Sequence, residues 1–246
     1  GHVPSTSRFW RLCHMSSQPK DVGVNDAPFV VEDGGAVLAF EERPGNEIHL
    51  ATVVRKITNA RMTQSAGKMV VKVEKLKLYD ALGILRALRY DVDRYNAAMA
   101  LPALPAGATA AEKHARDTER RIGCKRLRQQ AGMLGARLPG EGEGPVTVRG
   151  LDDLIAFVEG AFAEPIAAAR RSVAEGSVDF DGLGEFLSPG RGVVDSGSAT
   201  GVPGARTGFL VRSSFFSRTK TLVGEGRTFY VALEFVVSVG TSFCVC

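Results

Sequence analysis

The chain has 246 residues, 44% of them hydrophobic and 24% charged, which suits one large folded domain or two ordinary ones and argues against wholesale disorder. Thirty-one basic residues against 27 acidic leave a formal charge of +4, so the positions of the charges carry more information than their sum. No run of 18 apolar residues occurs, so no helical membrane span is expected.

Residues 1–27 are polar and punctuated by Pro4 and Pro19, and are expected to be a loose or upstream segment. The first methionine is Met15, which makes 1–14 read as sequence ahead of a true start. The alternative is the remnant of a mitochondrial presequence, since Arg8, Arg11 and Lys20 precede the first acid, Asp21.

Residues 28–137 are expected to form a small sheet followed by helices. Val30-Val31 precedes the turn signal Asp33-Gly34-Gly35, and Ala36–Phe40 is a second apolar run. Ile48–Ile57 is rich in Val and Ile and reads as a strand, with His49 in it. Met69, Val71 and Val73 alternate with Val70, Lys72 and Glu74, the period of a half-buried strand. Thr63–Gly67 reads as a loop or hairpin connection between these last two runs. The period then changes. Leu78, Leu82, Leu85 and Leu88 recur at helical spacing until Pro102 and Pro105 stop the run. A second, very polar helix is expected over 108–135. It carries Lys113, Arg116, Arg120, Arg121, Lys125, Arg126 and Arg128, with a thin apolar stripe of Ala115, Ile122 and Leu127.

Residues 138–150, where glycines alternate with glutamates, read as a linker and domain boundary. Residues 151–175 read as helical, divided or kinked at Pro165, with Gly176 as cap. Strand patterns return at Phe209–Val211 and Thr228–Val239, and the sequence stops at Cys246 soon after, as if the β-rich domain were incomplete. The fold class expected is therefore α+β: a small N-terminal antiparallel sheet, central helices, and a C-terminal helix with a β-rich domain.

Few residues offer chemistry. Gly67-Lys68 is the nearest approach to a phosphate-binding loop, but Met62 and Met69 occupy the positions of its first glycine and its hydroxyl residue. Gly197, Gly201 and Gly204 lack the strand–turn–helix setting of a dinucleotide site. No cofactor is expected. His2, His14, His49 and His114 have no metal-ligand spacing, and Cys13, Cys124, Cys244 and Cys246 form no C-x-x-C pair, so no metal is expected either. Reduced thiols suit an intracellular, cytoplasmic protein, with the mitochondrial alternative left open. Val193-Val194-Asp195-Ser196-Gly197-Ser198 has the form of an aspartic-protease turn. Asp195 would then need a second carboxylate beside it to share a proton. The basic residues Lys113 to Arg128 could lie on nucleic acid or an acidic protein, although no aromatic residue is interleaved for base stacking.

Two resemblances add to this. Leu154-Ile155-Ala156-Phe157-Val158, Val178-Asp179-Phe180-Asp181-Gly182-Leu183, Phe186-Leu187-Ser188-Pro189-Gly190, Thr200-Gly201-Val202-Pro203, Phe209–Ser213 and Arg227–Val239 follow one another in the order and spacing of a known domain. Residues 151–246 thus resemble the uncharacterised domain N-terminal to the ATPase module in fungal-type AAA+ ATPases. The resemblance implies a non-catalytic regulatory or partner-binding region whose parent is an oligomeric ATPase, with the ATPase module outside these residues. Its usual Trp and Asp-Gly turn are replaced by Gly184 and by Val239-Gly240-Thr241. Residues 57–90 also resemble, more distantly, the C-terminal part of phage terminase small subunits, through a hairpin running into Lys75–Leu82, Leu85 and Leu88.

Overall fold

A computed structural model describes residues 28–42, 47–65, 67–139, 144–194, 208–221, 224–239 and 242–245. The architecture is α+β, with an antiparallel sheet at the N-terminal end, a run of central helices and a second antiparallel sheet at the C-terminal end.

The first sheet has the order β1-β2-β4-β3. Its strands are β1 (Val30–Glu32), β2 (Val37–Glu41), β3 (Met62–Ser65) and β4 (Lys68–Glu74). The turn from β1 to β2 places Asp33, Gly34 and Gly35 at positive φ, a conformation glycine reaches without steric cost. Leu38 faces Val73 and Phe40 faces Val71, and all four side chains are buried. These cross-strand pairs give the sheet its apolar face.

One expectation fails here. Ile48–Ile57 is not a strand: Leu50–Thr58 forms helix α1. Leu50, Val53 and Val54 are buried and Ile57 packs against the core, so the apolar residues follow the period of 3.6 despite their β-branched composition. Asn59 ends the helix in the left-handed region, its N–H bonded to the Arg55 carbonyl. His49 accordingly precedes a helix and does not lie in a strand. Of the loop or hairpin expected at Thr63–Gly67, the hairpin is the form found, with Met62–Ser65 paired to Lys68–Val71.

The expected helix over 76–100 is divided at Ala81 into α2 (Lys75–Asp80) and α3 (Leu82–Met99), and Leu78, Leu82, Leu85 and Leu88 all point into the core. The polar helix is α4 (Ala110–Leu134). A capping box starts it: the Thr109 hydroxyl accepts from the Glu112 N–H while the Glu112 carboxylate accepts from the Thr109 N–H. Gly135, at φ +71, ends it.

Within the expected linker, residues 140–143 lie outside the described residues. Those that follow are packed. Val146 and Val148 are buried, and the Asn96 side chain brackets Val146, donating to its carbonyl at 2.9 Å and accepting from its N–H at 2.8 Å. One apolar core runs from Leu38 and Phe40 through α1 to α4, across Val146 and Val148, and on to Leu154, Ile155, Val158 and Ile166. The last four belong to α5 (Leu151–Ala161) and α6 (Ala163–Ala174). The chain breaks at Phe162, which leaves Pro165 in the first turn of α6, where its missing N–H has no helical partner to lose.

After the short helix α7 (Leu183–Phe186) the second sheet has the order β5-β6-β7-β8. It consists of β5 (Gly192–Val194), β6 (Gly208–Thr221), β7 (Gly224–Val239) and β8 (Ser242–Val245). β6 and β7 make a long ribbon with a bulge between Val211 and Ser213, stiffened by the pairs Phe209–Phe235, Phe215–Tyr230 and Phe216–Phe229. Val211 and Ser214 pack against the helices and are almost wholly buried. Gly83 on α3 makes this approach possible, since a Cβ there would stand 2.1 Å from the Ser214 carbonyl oxygen.

Candidate functional site

The residues singled out in the sequence do not converge. Asp195 lies outside the described residues, as do Gly197, Gly201 and Gly204. On α4, Lys113, Arg121, Lys125 and Arg128 are exposed, whereas Arg116 and Arg120 are half-buried. Arg116 donates to the Leu101 carbonyl. Arg126 is 5% exposed and pairs with Asp91 of α3 and Glu234 of β7, which removes it from any exposed basic face. Burial pushes the Asp91 carboxyl above its usual range, with Arg126 acting against it, and burial pushes the Arg126 guanidinium below its own, with Asp91 acting against that.

The structure brings together a different set of residues where α2 and α3 meet α5, α6, α7 and the ribbon. Asp80, 6% exposed, accepts from Arg218 of β6 at 2.5 Å and from Arg227 of β7 at 2.9 Å. Arg227 also reaches Asp181 and lies 3.8 Å from the centre of the Phe216 ring. Tyr79 stacks on Phe162 at 4.2 Å, and its phenol is pushed up by burial, against the pull of Arg227.

One helical turn along α3, Arg86 is 9% exposed and donates through Nε to Glu159 at 2.9 Å and through Nη1 to Glu185 at 2.6 Å. Glu185 also accepts from Arg170 Nε at 2.8 Å. This group floors a cleft of about 550 Å³ whose walls carry Arg89, Tyr90 and Asp93 of α3, Arg170 of α6, and Pro189 and Arg191 from the turn before β5. The cleft has no local signature in the sequence, because its arginines come from three separate segments. Arg86 and Arg89 stand out there only as polar residues beside a leucine stripe.

A third feature is apolar. Tyr230, Val231 and Leu233 of β7 are 49%, 38% and 40% exposed. Among the described residues no group of three or more His, Cys, Asp and Glu side chains could hold a metal ion, and no helix is long and apolar enough to cross a membrane. Comparison with known protein families, curated proteins and solved structures finds no match.

Proposed function

We propose that the chain is a partner-binding region, contributing recognition and not chemistry, and that β7 of the C-terminal ribbon is its binding strip. The observation that favours this is the exposure of Val231 and Leu233 on one face of β7 and of Tyr230 on the other, on a strand held in place by buried arginine–carboxylate pairs. Exposed apolar side chains on a rigid element are a usual mark of an interface, where aromatic residues supply much of the affinity. The resemblance of residues 151–246 to the domain that precedes the ATPase module in fungal-type AAA+ ATPases gives the partner a class: the motor module of such an ATPase, or a protein delivered to it. The test is co-expression with an AAA+ module of the same genome, read by size-exclusion chromatography. Tyr230→Asp and Leu233→Asp are each expected to weaken the complex at least about tenfold, with the circular dichroism spectrum unchanged. Failure of any AAA+ module to associate, or equal association by both variants, would refute the proposal.

A second proposal rests on the outward face of α4, where Lys113, Arg121, Lys125 and Arg128 are exposed while Cys124, Leu127 and Ala131 are buried. Such a face suits an acidic protein or a nucleic-acid backbone. Binding of a DNA or RNA oligomer through it would weaken steeply with salt; affinity independent of salt would exclude this role. An aspartic-protease role for Asp195 remains a proposal for which the described residues offer no further support, and peptide cleavage abolished by Asp195→Asn would be its test.

A further inference from the structure

We propose that the cleft between α3, α6 and the turn before β5 binds the phosphoryl group of a small molecule, gripped by Arg89, Arg170 and Arg191 above the Arg86–Glu185 floor. Its volume of about 550 Å³ falls within the range of small-ligand sites.

The floor is locked, since Arg86 is buried between Glu159 and Glu185, and the second carboxylate is balanced by Arg170. The rim is not. The bond from Arg170 to Glu185 engages Nε, so its two terminal nitrogens carry donors beyond that contact. Arg89 has Asp152 at 3.8 Å, with both side chains well exposed, a pairing worth little in water. Arg191 has no carboxylate partner among the described residues, and its guanidinium lies 5.0 Å over the Phe186 ring.

The turn that carries Arg191 is also fixed. The Gly190 N–H donates to the Val211 carbonyl at 2.8 Å, and the Val211 N–H donates to the Arg191 carbonyl at 2.9 Å. Gly190, at φ +82, packs so close to Tyr90 that a Cβ would stand 3.1 Å from its ring. The backbone of Arg191 is therefore held beside the cleft before any ligand arrives, which lowers part of the ordering cost of binding.

Three guanidinium forks reaching one cleft from three elements match a terminal phosphate, which offers three oxygens in different directions. A carboxylate presents a single edge. Asp93 is exposed on the same wall, and its carboxylate works against an anion there.

The experiment is calorimetric titration of the full chain at low ionic strength with ribose 5-phosphate, inorganic phosphate and citrate. Saturable one-to-one binding of ribose 5-phosphate is expected. Arg89→Gln and Arg191→Gln should each weaken it about tenfold, and Asp93→Asn should tighten it. Both arginines are exposed, so the variants should retain the fold, which circular dichroism checks. Lys56→Gln, exposed on α1, should change nothing. The proposal is overturned if no saturable binding occurs up to about 10 mM, if citrate binds as tightly as the phosphates, or if the two arginine variants bind like the parent. None of these outcomes depends on the β7 strip.

Discussion

Asp80 is a buried carboxylate shared by arginines from two strands, and Asp91 is a buried carboxylate whose guanidinium partner is itself buried. Removing Arg126 strands the Asp91 charge in a poorly solvated site, and removing Asp80 takes from Arg218 and Arg227 the buried acceptor that ties both strands to α2. Asp80→Ala is expected to destabilise the chain by about 3 kcal/mol, measured as a lower urea midpoint at unchanged slope. The loss should exceed that of any exposed arginine on α4. Asp91 gives a pH test. Its folded-state carboxyl titrates above the unfolded value, so the folded state holds the proton more tightly. That contribution to stability is full below the unfolded value near 4 and is lost as the pH rises through the higher folded value. Asp91→Asn should flatten this descending limb of stability against pH, and an unchanged limb would show that another group produces it. These roles were not visible in the sequence, where Asp91 and Arg126 look like ordinary members of polar helix faces. Only the packing of α3 on α4 and of both on β7 buries them.

At the scale of elements, period proved a better guide than composition. Leu78, Leu82, Leu85 and Leu88 define the α2–α3 run through their spacing alone, and Val71 and Val73 define β4 through theirs. The segment Ile48–Ile57 misleads because β-branched residues suggest a strand while Leu50, Val53, Val54 and Ile57 keep helical spacing; burial against β4 and β2 favours the helix. The second half of β6, with its serines and charged residues, carries little strand signal. Cross-strand aromatic contacts with β7 determine it. The contact of α3 with β6 depends on a missing side chain. Gly83→Ala would drive a methyl group into the Ser214 carbonyl, with no flexible neighbour to give way. A loss of about 2 kcal/mol is expected, together with faster amide exchange across Val211 to Phe216. Normal exchange there would show that α3 and β6 adjust at low cost.

For the whole molecule, the core extends over both sides of the Gly/Glu stretch. Val146, Val148, Leu154, Ile155 and Val158 belong to the same apolar cluster as Leu38, Phe40, Val54 and Leu85. Pieces 1–139 and 144–246 expressed apart are therefore expected to lack the cooperative melting of the intact chain, and to regain it on mixing. Independent cooperative melting of both pieces would mean that each has a sufficient core of its own. The cleft has the same dependence, since Arg89 belongs to the first piece and Arg170 and Arg191 to the second. Any binding by the cleft should be absent from either piece and return with the mixture.

By itself the sequence determined the α+β class, the leucine face of α2 and α3, the course of α4 and the helices of 151–175, because each depends on periodicity within about a dozen residues. Tertiary structure alone decided that Val146 and Val148 are core, that Arg126 is buried among carboxylates, and that Arg86, Arg89, Arg170 and Arg191 line one cleft. Those outcomes depend on contacts between residues far apart along the chain, and periodicity records which side chains seek burial without recording what each one meets.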